Sequence, residues 1–182
     1  LPVDFRSPHR VSKQVRNDSV TLNRALKTLR EKHPKLLFVE FCETDYYGHH
    51  GKWKEYLNAA HQNDQFIRLL WECCQQDPFY RDNTTFLVTC DHGRGESLGD
   101  HANRGEVDSQ ASWTEHGKKI KGSNQTWLVA FGKDILHLGE MEGGRTNYTK
   151  QVAPTIASIL KVPFTNDDNQ QSEVLPIYKI LK

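Results

Sequence analysis

The sequence predicts an α/β domain with a mostly parallel sheet flanked by helices. Three short apolar runs, at residues 35–42, 84–90 and 125–131, have the character of buried strands. A long amphipathic helix, at about residues 53–76, separates the first two runs. Strand, helix and strand in that order form a right-handed crossover between parallel neighbours. The nearly continuous apolar letters of the first run, LLFVEF, suit a strand that is buried on both faces.

Two further helices are predicted outside this unit. Asp18 or Ser19 is placed to cap a helix that runs to about residue 32. A short helix is expected at about residues 148–161, where apolar residues recur at helical spacing. Residues 96–123 form a long excursion rich in glycine, serine and charge. Loops of that length inside a compact domain are usually functional or disordered.

Length and charge limit the classes of protein that fit. A chain of 182 residues is enough for a single domain over residues 1–182 with a real core. Lys and Arg total 24 against 23 Asp and Glu, so nothing in the charge favours nucleic acid or an anionic membrane as partner. The charge is still compatible with specific binding of a small phosphorylated substrate. No apolar run approaches the roughly 20 residues that span a bilayer, so no transmembrane segment is predicted.

The four cysteines and the first residue bear on the cellular compartment. The cysteines lack CxxC spacing, which argues against a structural zinc knuckle or a disulfide scaffold and favours free thiols. The chain begins at Leu1 rather than Met, which is consistent with trimming. A removed signal peptide would imply a secreted or periplasmic location.

Two clusters of metal-capable side chains follow the first two apolar runs. TDYYGHH, at residues 44–50, follows the first run, and TCDHGRG, at residues 89–95, follows the second. The loops beyond the carboxyl ends of parallel strands converge, so residues from both clusters are expected to share one site. The clusters offer the mixture of oxygen and nitrogen donors that suits zinc and similar divalent ions, from Asp45, His49, Asp91 and His92.

The spacing of these residues supports a shared site. Asp45 and His49 are four apart, so one helical turn after the strand brings both donors to one side. Gly93 lets the second loop bend so that its donors reach the same crevice. A further imidazole is required, since three protein ligands and an open position are usual in catalytic zinc sites. His116 is the favoured candidate, and His101 is its rival.

The motifs resemble those of a known family. DYYGH, CDHGRG, EHGK before QTWLVAFG, and VAPTIASIL are similar to the carboxyl-terminal half of the catalytic domain of the alkaline phosphatase superfamily. That superfamily includes nucleotide pyrophosphatases and cofactor-independent phosphoglycerate mutases, and the likeness runs over about residues 19–165. It implies an alkaline-phosphatase-like fold and two divalent ions about 4 Å apart, zinc or sometimes manganese.

The resemblance also implies roles for individual residues. It makes Asp45, His49 and His116 ligands of one metal, and Asp91 and His92 two ligands of the other. Arg94 is a candidate to hold a substrate phosphoryl oxygen through its planar guanidinium, and a solvated loop arginine is the alternative.

One part of the family pattern is missing. The family nucleophile, a Thr or Ser, and a further Asp ligand come from an amino-terminal strand and helix, and residues 1–35 contain no such segment. The fold is therefore expected to be incomplete at the amino terminus. Either the chain is a fragment, with the amino-terminal half of the catalytic domain as its absent partner, or it is a member that has lost that half.

The function implied is metal-dependent hydrolysis of phosphate esters, by a phosphomonoesterase or a phosphodiesterase. The chain alone is expected to be inactive, since no nucleophile is identified in it. The alternatives are a sulfatase or phosphomutase of the same superfamily, or a non-catalytic metal-binding fragment. Sulfatases bind one calcium and typically carry Asn where this chain has His92, and an imidazole there favours a softer ion and phosphate chemistry.

Overall fold

The computed structural model describes residues 16–97, 112–141, 146–165 and 173–177. The predicted helices at both ends of the chain and the long central helix are confirmed. The elements, in chain order, are helices α1 (Asp18–Lys32), α2 (Glu43–His49) and α3 (Trp53–Gln76), strands β1 (Thr85–Thr89) and β2 (Leu128–Gly132), a 3-10 turn (Thr149–Gln151) and helix α4 (Val152–Ile159). Among these described helices, none is both long and apolar enough to cross a membrane.

The main core lies between α1 and α3. Apolar residues at helical spacing give each helix one buried face. Residues of the extended segment 35–42 and of β1 cover the margin of this core, among them Leu37, Val39, Phe41 and Phe86. The buried residues at its centre are Leu22, Ala25, Leu29, Phe66, Leu70, Cys74 and Tyr80.

Leu70→Ala is expected to lower the free energy of unfolding by roughly 2–5 kcal/mol, because it removes a buried side chain and leaves a cavity. Leu70 is only 5% exposed, whereas its neighbour Leu69 is 39% exposed. The matched change Leu69→Ala is therefore expected to shift stability by less than about 0.5 kcal/mol. Urea denaturation followed by circular dichroism measures both values. Equal losses in the two variants would contradict the assignment of the buried face.

Residues 35–42 do not form the predicted strand. The side chains alternate as in a strand, since Leu37, Val39 and Phe41 pack against the core, while Leu36 is 56% and Phe38 is 82% exposed. The backbone, however, pairs with neither β1 nor β2. Packing of the inward side chains and a hydrogen bond from the Cys42 N–H to the Asp18 carboxylate hold this segment. Because Leu36 and Phe38 are exposed and no ladder forms, the prediction of a strand buried on both faces is wrong.

The sheet differs from the predicted one in topology. Strands β1 and β2 pair antiparallel, with Phe86 opposite Phe131 and Val88 opposite Val129. The aromatic pair packs against Trp71 of α3, with ring centroids 5.5 Å and 5.2 Å from it. A mostly parallel sheet is not shown, because residues 35–42 make no ladder with β1 and the strand–helix–strand crossover lacks its first strand.

Two local predictions also need correction. The residue that caps α1 is Asn17, whose Oδ1 accepts the N–H of Ser19 at 2.9 Å, and not Asp18 or Ser19. The buried residues of α3 are Ala59, Phe66, Leu70 and Cys74. Leu57 also stands at the apolar spacing of this helix, but it is 39% exposed.

The carboxyl-terminal part packs around α4. The hydroxyl of the fully buried Thr155 accepts the backbone N–H of Leu175 at 2.8 Å. Leu175 is itself 4% exposed, so the described tail residues 173–177 are held against this helix. All four cysteines lie in the described part of the chain and are free thiols, as predicted.

Candidate metal centre

Three side chains from two distant parts of the chain meet beside α2. Each of Asp45, His49 and His116 offers one donor atom, and these atoms all lie within 4.8 Å of one another. Nε2 of His49 is 2.9 Å from Nε2 of His116. The Asp45 carboxylate is 3.6 Å from the first of these nitrogens and 3.8 Å from the second. The helical turn predicted after residue 42 is therefore present, and it places Asp45 and His49 on one side.

His92 joins this group from the loop after β1. Its ring stacks on that of His116, with centroids 3.7 Å apart and planes at 11°. Its Nδ1 is 2.9 Å from the carbonyl oxygen of Gly93. A carbonyl only accepts, so Nδ1 is the donor, and in the neutral ring this leaves the lone pair on Nε2. That Nε2 is 3.7 Å from the Asp45 carboxylate, which brings a third imidazole donor to the cluster.

Asp91 lies at the edge of the group. Its side chain is 82% exposed, and its carboxylate is 3.6 Å from Nε2 of His92. It also accepts the backbone N–H of His92 at 3.0 Å. Among the described residues, Asp91 reaches the cluster through His92.

Arg94 is an internal residue of this site. Its side chain is only 12% exposed. One terminal nitrogen contacts the Asp45 carboxylate and donates to the Asp45 carbonyl at 2.9 Å. The other donates to the carbonyl of Thr114 at 3.1 Å. The alternative of a solvated loop arginine is therefore wrong, and Arg94 ties both ligand-bearing segments to its own loop.

Trp113 fixes the segment that carries His116, and sequence reasoning did not single it out. It is 7% exposed and packs edge-to-face on Trp53 and Tyr56 of α3, with centroids 5.0 Å and 5.7 Å away. The backbone N–H of Trp113 donates to the backbone carbonyl of Ser97 at 2.9 Å. The sequence feature that could have indicated this role is a tryptophan in an otherwise polar segment, three residues before His116.

The donor set fits a divalent cation. Three imidazoles and a carboxylate are the ligand types found in zinc sites. Burial lowers the pKa of His116, and the neighbouring His92 adds to this effect. The neutral imidazole, which is the form that binds a metal, is thereby favoured. His101, the rival to His116, lies outside the described residues.

The chain belongs to the metalloenzyme superfamily, whose family model matches residues 4–121. That family is part of the alkaline phosphatase superfamily, so the resemblance drawn from the motifs is confirmed. Membership indicates a metal-dependent enzyme with a phosphoryl-transfer type of chemistry and an alkaline-phosphatase-like fold. The matched range includes every residue of the cluster. No curated protein and no solved structure gives a significant match.

Proposed function

We propose that this chain supplies the cation-binding part of a metal-dependent hydrolase of phosphate esters, acting on phosphomonoesters or phosphodiesters. The observation that carries the proposal is the convergence of Asp45, His49 and His116 within 4.8 Å. Family membership supports it from an independent direction.

The residues divide between two ions in this proposal. Asp45, His49 and His116 bind one zinc, and His92 with Asp91 contributes to a neighbouring zinc or manganese. Such ions lower the pKa of an oxygen nucleophile and stabilise charge on a transferring phosphoryl group. The protein positions its imidazoles by stacking and by the bond from His92 Nδ1 to Gly93. No nucleophile is assigned among these residues.

Arg94 has two proposed roles. Its charge balances Asp45, which it contacts directly. Its guanidinium can also bind a phosphoryl oxygen in two-point fashion, as arginine forks do. The second role stays a prediction, since in the structure the terminal nitrogens face protein oxygens.

The test is an assay of the natural full-length protein on p-nitrophenyl phosphate, bis-p-nitrophenyl phosphate and p-nitrophenyl sulfate. Hydrolysis of a phosphate ester is expected, lost with a chelator and restored by zinc or manganese. The ratio of the two phosphate activities assigns monoesterase or diesterase. Preferential cleavage of the sulfate would replace the proposal with a sulfatase. Zinc binding without turnover of any of the three would leave a non-catalytic metal-binding protein and overturn the hydrolase proposal.

A further inference from the structure

Asp18 is a buried acidic residue that the cation site does not itself use. It is the first residue of α1, and only 1% of it is exposed. Burial raises the pKa of its carboxyl group, and the hydrogen bonds from backbone N–H groups oppose that rise. Burying a carboxylate costs free energy unless its oxygens accept hydrogen bonds. The hydrogen-bond partners of Asp18 therefore indicate its structural role.

Those partners lie at the start of α2, which is far away in sequence. The two carboxylate oxygens accept the N–H of Cys42 at 2.8 Å and the N–H of Glu43 at 3.1 Å. In return, the Glu43 carboxylate accepts the N–H of Asp18 at 3.1 Å. The starts of the two helices thus satisfy one another, in the manner of a capping box shared between distant segments.

This contact replaces a cap that α2 lacks. Cys42, the residue at the N-cap position, makes no side-chain hydrogen bond to the helix. The first N–H groups of any helix have no partner within it and must be satisfied from elsewhere. A helix of 7 residues is too short to be stable by its own backbone bonds. Its position therefore depends on contacts such as the one that Asp18 makes.

We propose that Asp18 is a positioning residue for the cation site, an inference that rests on the proposed cation-binding function. By fixing the first turn of α2, its carboxylate sets the orientation of Asp45 and His49, which lie on that helix. Asp18 is not one of the three clustered donors. Its effect on metal affinity passes through the backbone of α2, as with other outer partners of metal ligands.

The experiment compares Asp18→Ala and Asp18→Asn with Asn17→Ala. The control removes the cap of α1, the bond from Ser19 N–H to Asn17 Oδ1, and leaves the contacts of α2 in place. Zinc affinity is measured by competition with a chromogenic chelator, and unfolding of each variant by urea. Asp18→Ala is expected to raise the zinc dissociation constant by about 10-fold to 100-fold. Asp18→Asn keeps one acceptor oxygen and is expected to fall between Asp18→Ala and the wild type.

Asn17→Ala is expected to lower overall stability while zinc affinity stays within about 3-fold of wild type, since only the start of α1 is weakened. If the Asp18 variants bind zinc as tightly as Asn17→Ala does, the positioning role is refuted. The isosteric Asp18→Asn serves as the test variant should Asp18→Ala fail to fold.

Amide hydrogen exchange of the metal-free protein separates this inference from the proposed function. Loss of protection in residues 43–49 is expected for Asp18→Ala and not for Asn17→Ala. If the wild type binds no zinc, the proposed function fails, and the exchange result alone decides whether Asp18 holds α2. Equal protection of α2 in all variants would overturn the positioning role whatever the zinc result.

Discussion

Alanine in place of His116 or of His49 is expected to weaken binding of one zinc ion by more than about 100-fold, beyond the loss typical of residues that only support a ligand. The two ring nitrogens face each other at 2.9 Å, and the Asp45 carboxylate lies beside both. Removing either imidazole leaves two of the three donors proposed for this ion, fewer than the three of a usual catalytic zinc site. Metal content after dialysis, measured by plasma emission spectrometry, gives the number of ions retained.

The matched control is His50→Ala. His50 follows His49 directly, but its ring packs on Tyr46 and it is not part of the group of three. It is expected to keep full metal content. His92→Ala is expected to remove the other class of bound zinc, with little loss of secondary structure. Full metal retention in His49→Ala, His92→Ala or His116→Ala would contradict the ligand assignment of that residue.

Gly93→Ala is expected to disrupt the site and to lower stability by about 1–3 kcal/mol, the usual cost of forcing extra atoms into a packed region. A Cβ at this position would overlap the Gln125 carbonyl oxygen and lie 2.5 Å from the carbonyl oxygen of Gly122. Both atoms are backbone, so the clash cannot be relieved by a side-chain rotation. The residue also donates its N–H to the Ser123 carbonyl at 2.9 Å, a bond that the displaced chain would lose.

Gly48→Ala provides the comparison for this substitution. Its Cβ would overlap the guanidinium carbon of Arg94 and lie 2.7 Å from Nη2. That group is the end of a flexible side chain and can move, at the cost of its contact with Asp45. Urea denaturation and zinc affinity should therefore both show a larger loss for Gly93→Ala than for Gly48→Ala. The reverse order would mean that the close approach of the Gly93 loop to the backbone of residues 122–125 is not what holds the site together.

Much of the candidate site was predictable because its ligand types stand in short motifs. Asp45 and His49 were expected on one turn of helix, and α2 places them there. His116 was preferred to His101 for its place shortly before the third apolar run, and the described structure brings His116 to the cluster. The buried role of Arg94 was not predictable, since no local pattern shows that its donors will meet carbonyl groups from residues 45 and 114.

Helix α3 and the segment 35–42 show where prediction of the fold succeeds and fails. The bounds of α3 were predicted because its periodicity extends over 24 residues and local hydrogen bonds satisfy its backbone. The segment 35–42 was predicted wrongly, since its nearly continuous apolar letters indicated burial on both faces, whereas Leu37 packs inward and Phe38 is exposed. Its strand pairing was not predictable either, because a ladder needs a partner that the segment itself does not specify.

The sequence by itself determined the main helices, the residue types of the candidate metal site and the family. Each of these depends on residues that are close together in the chain, so a short segment of the sequence is enough to predict it. The tertiary structure alone decided that β1 and β2 pair antiparallel, that Trp113 anchors the segment bearing His116, and that Asp18 caps α2. These contacts join residues 24 to 60 positions apart, and which distant groups meet depends on how the whole chain packs.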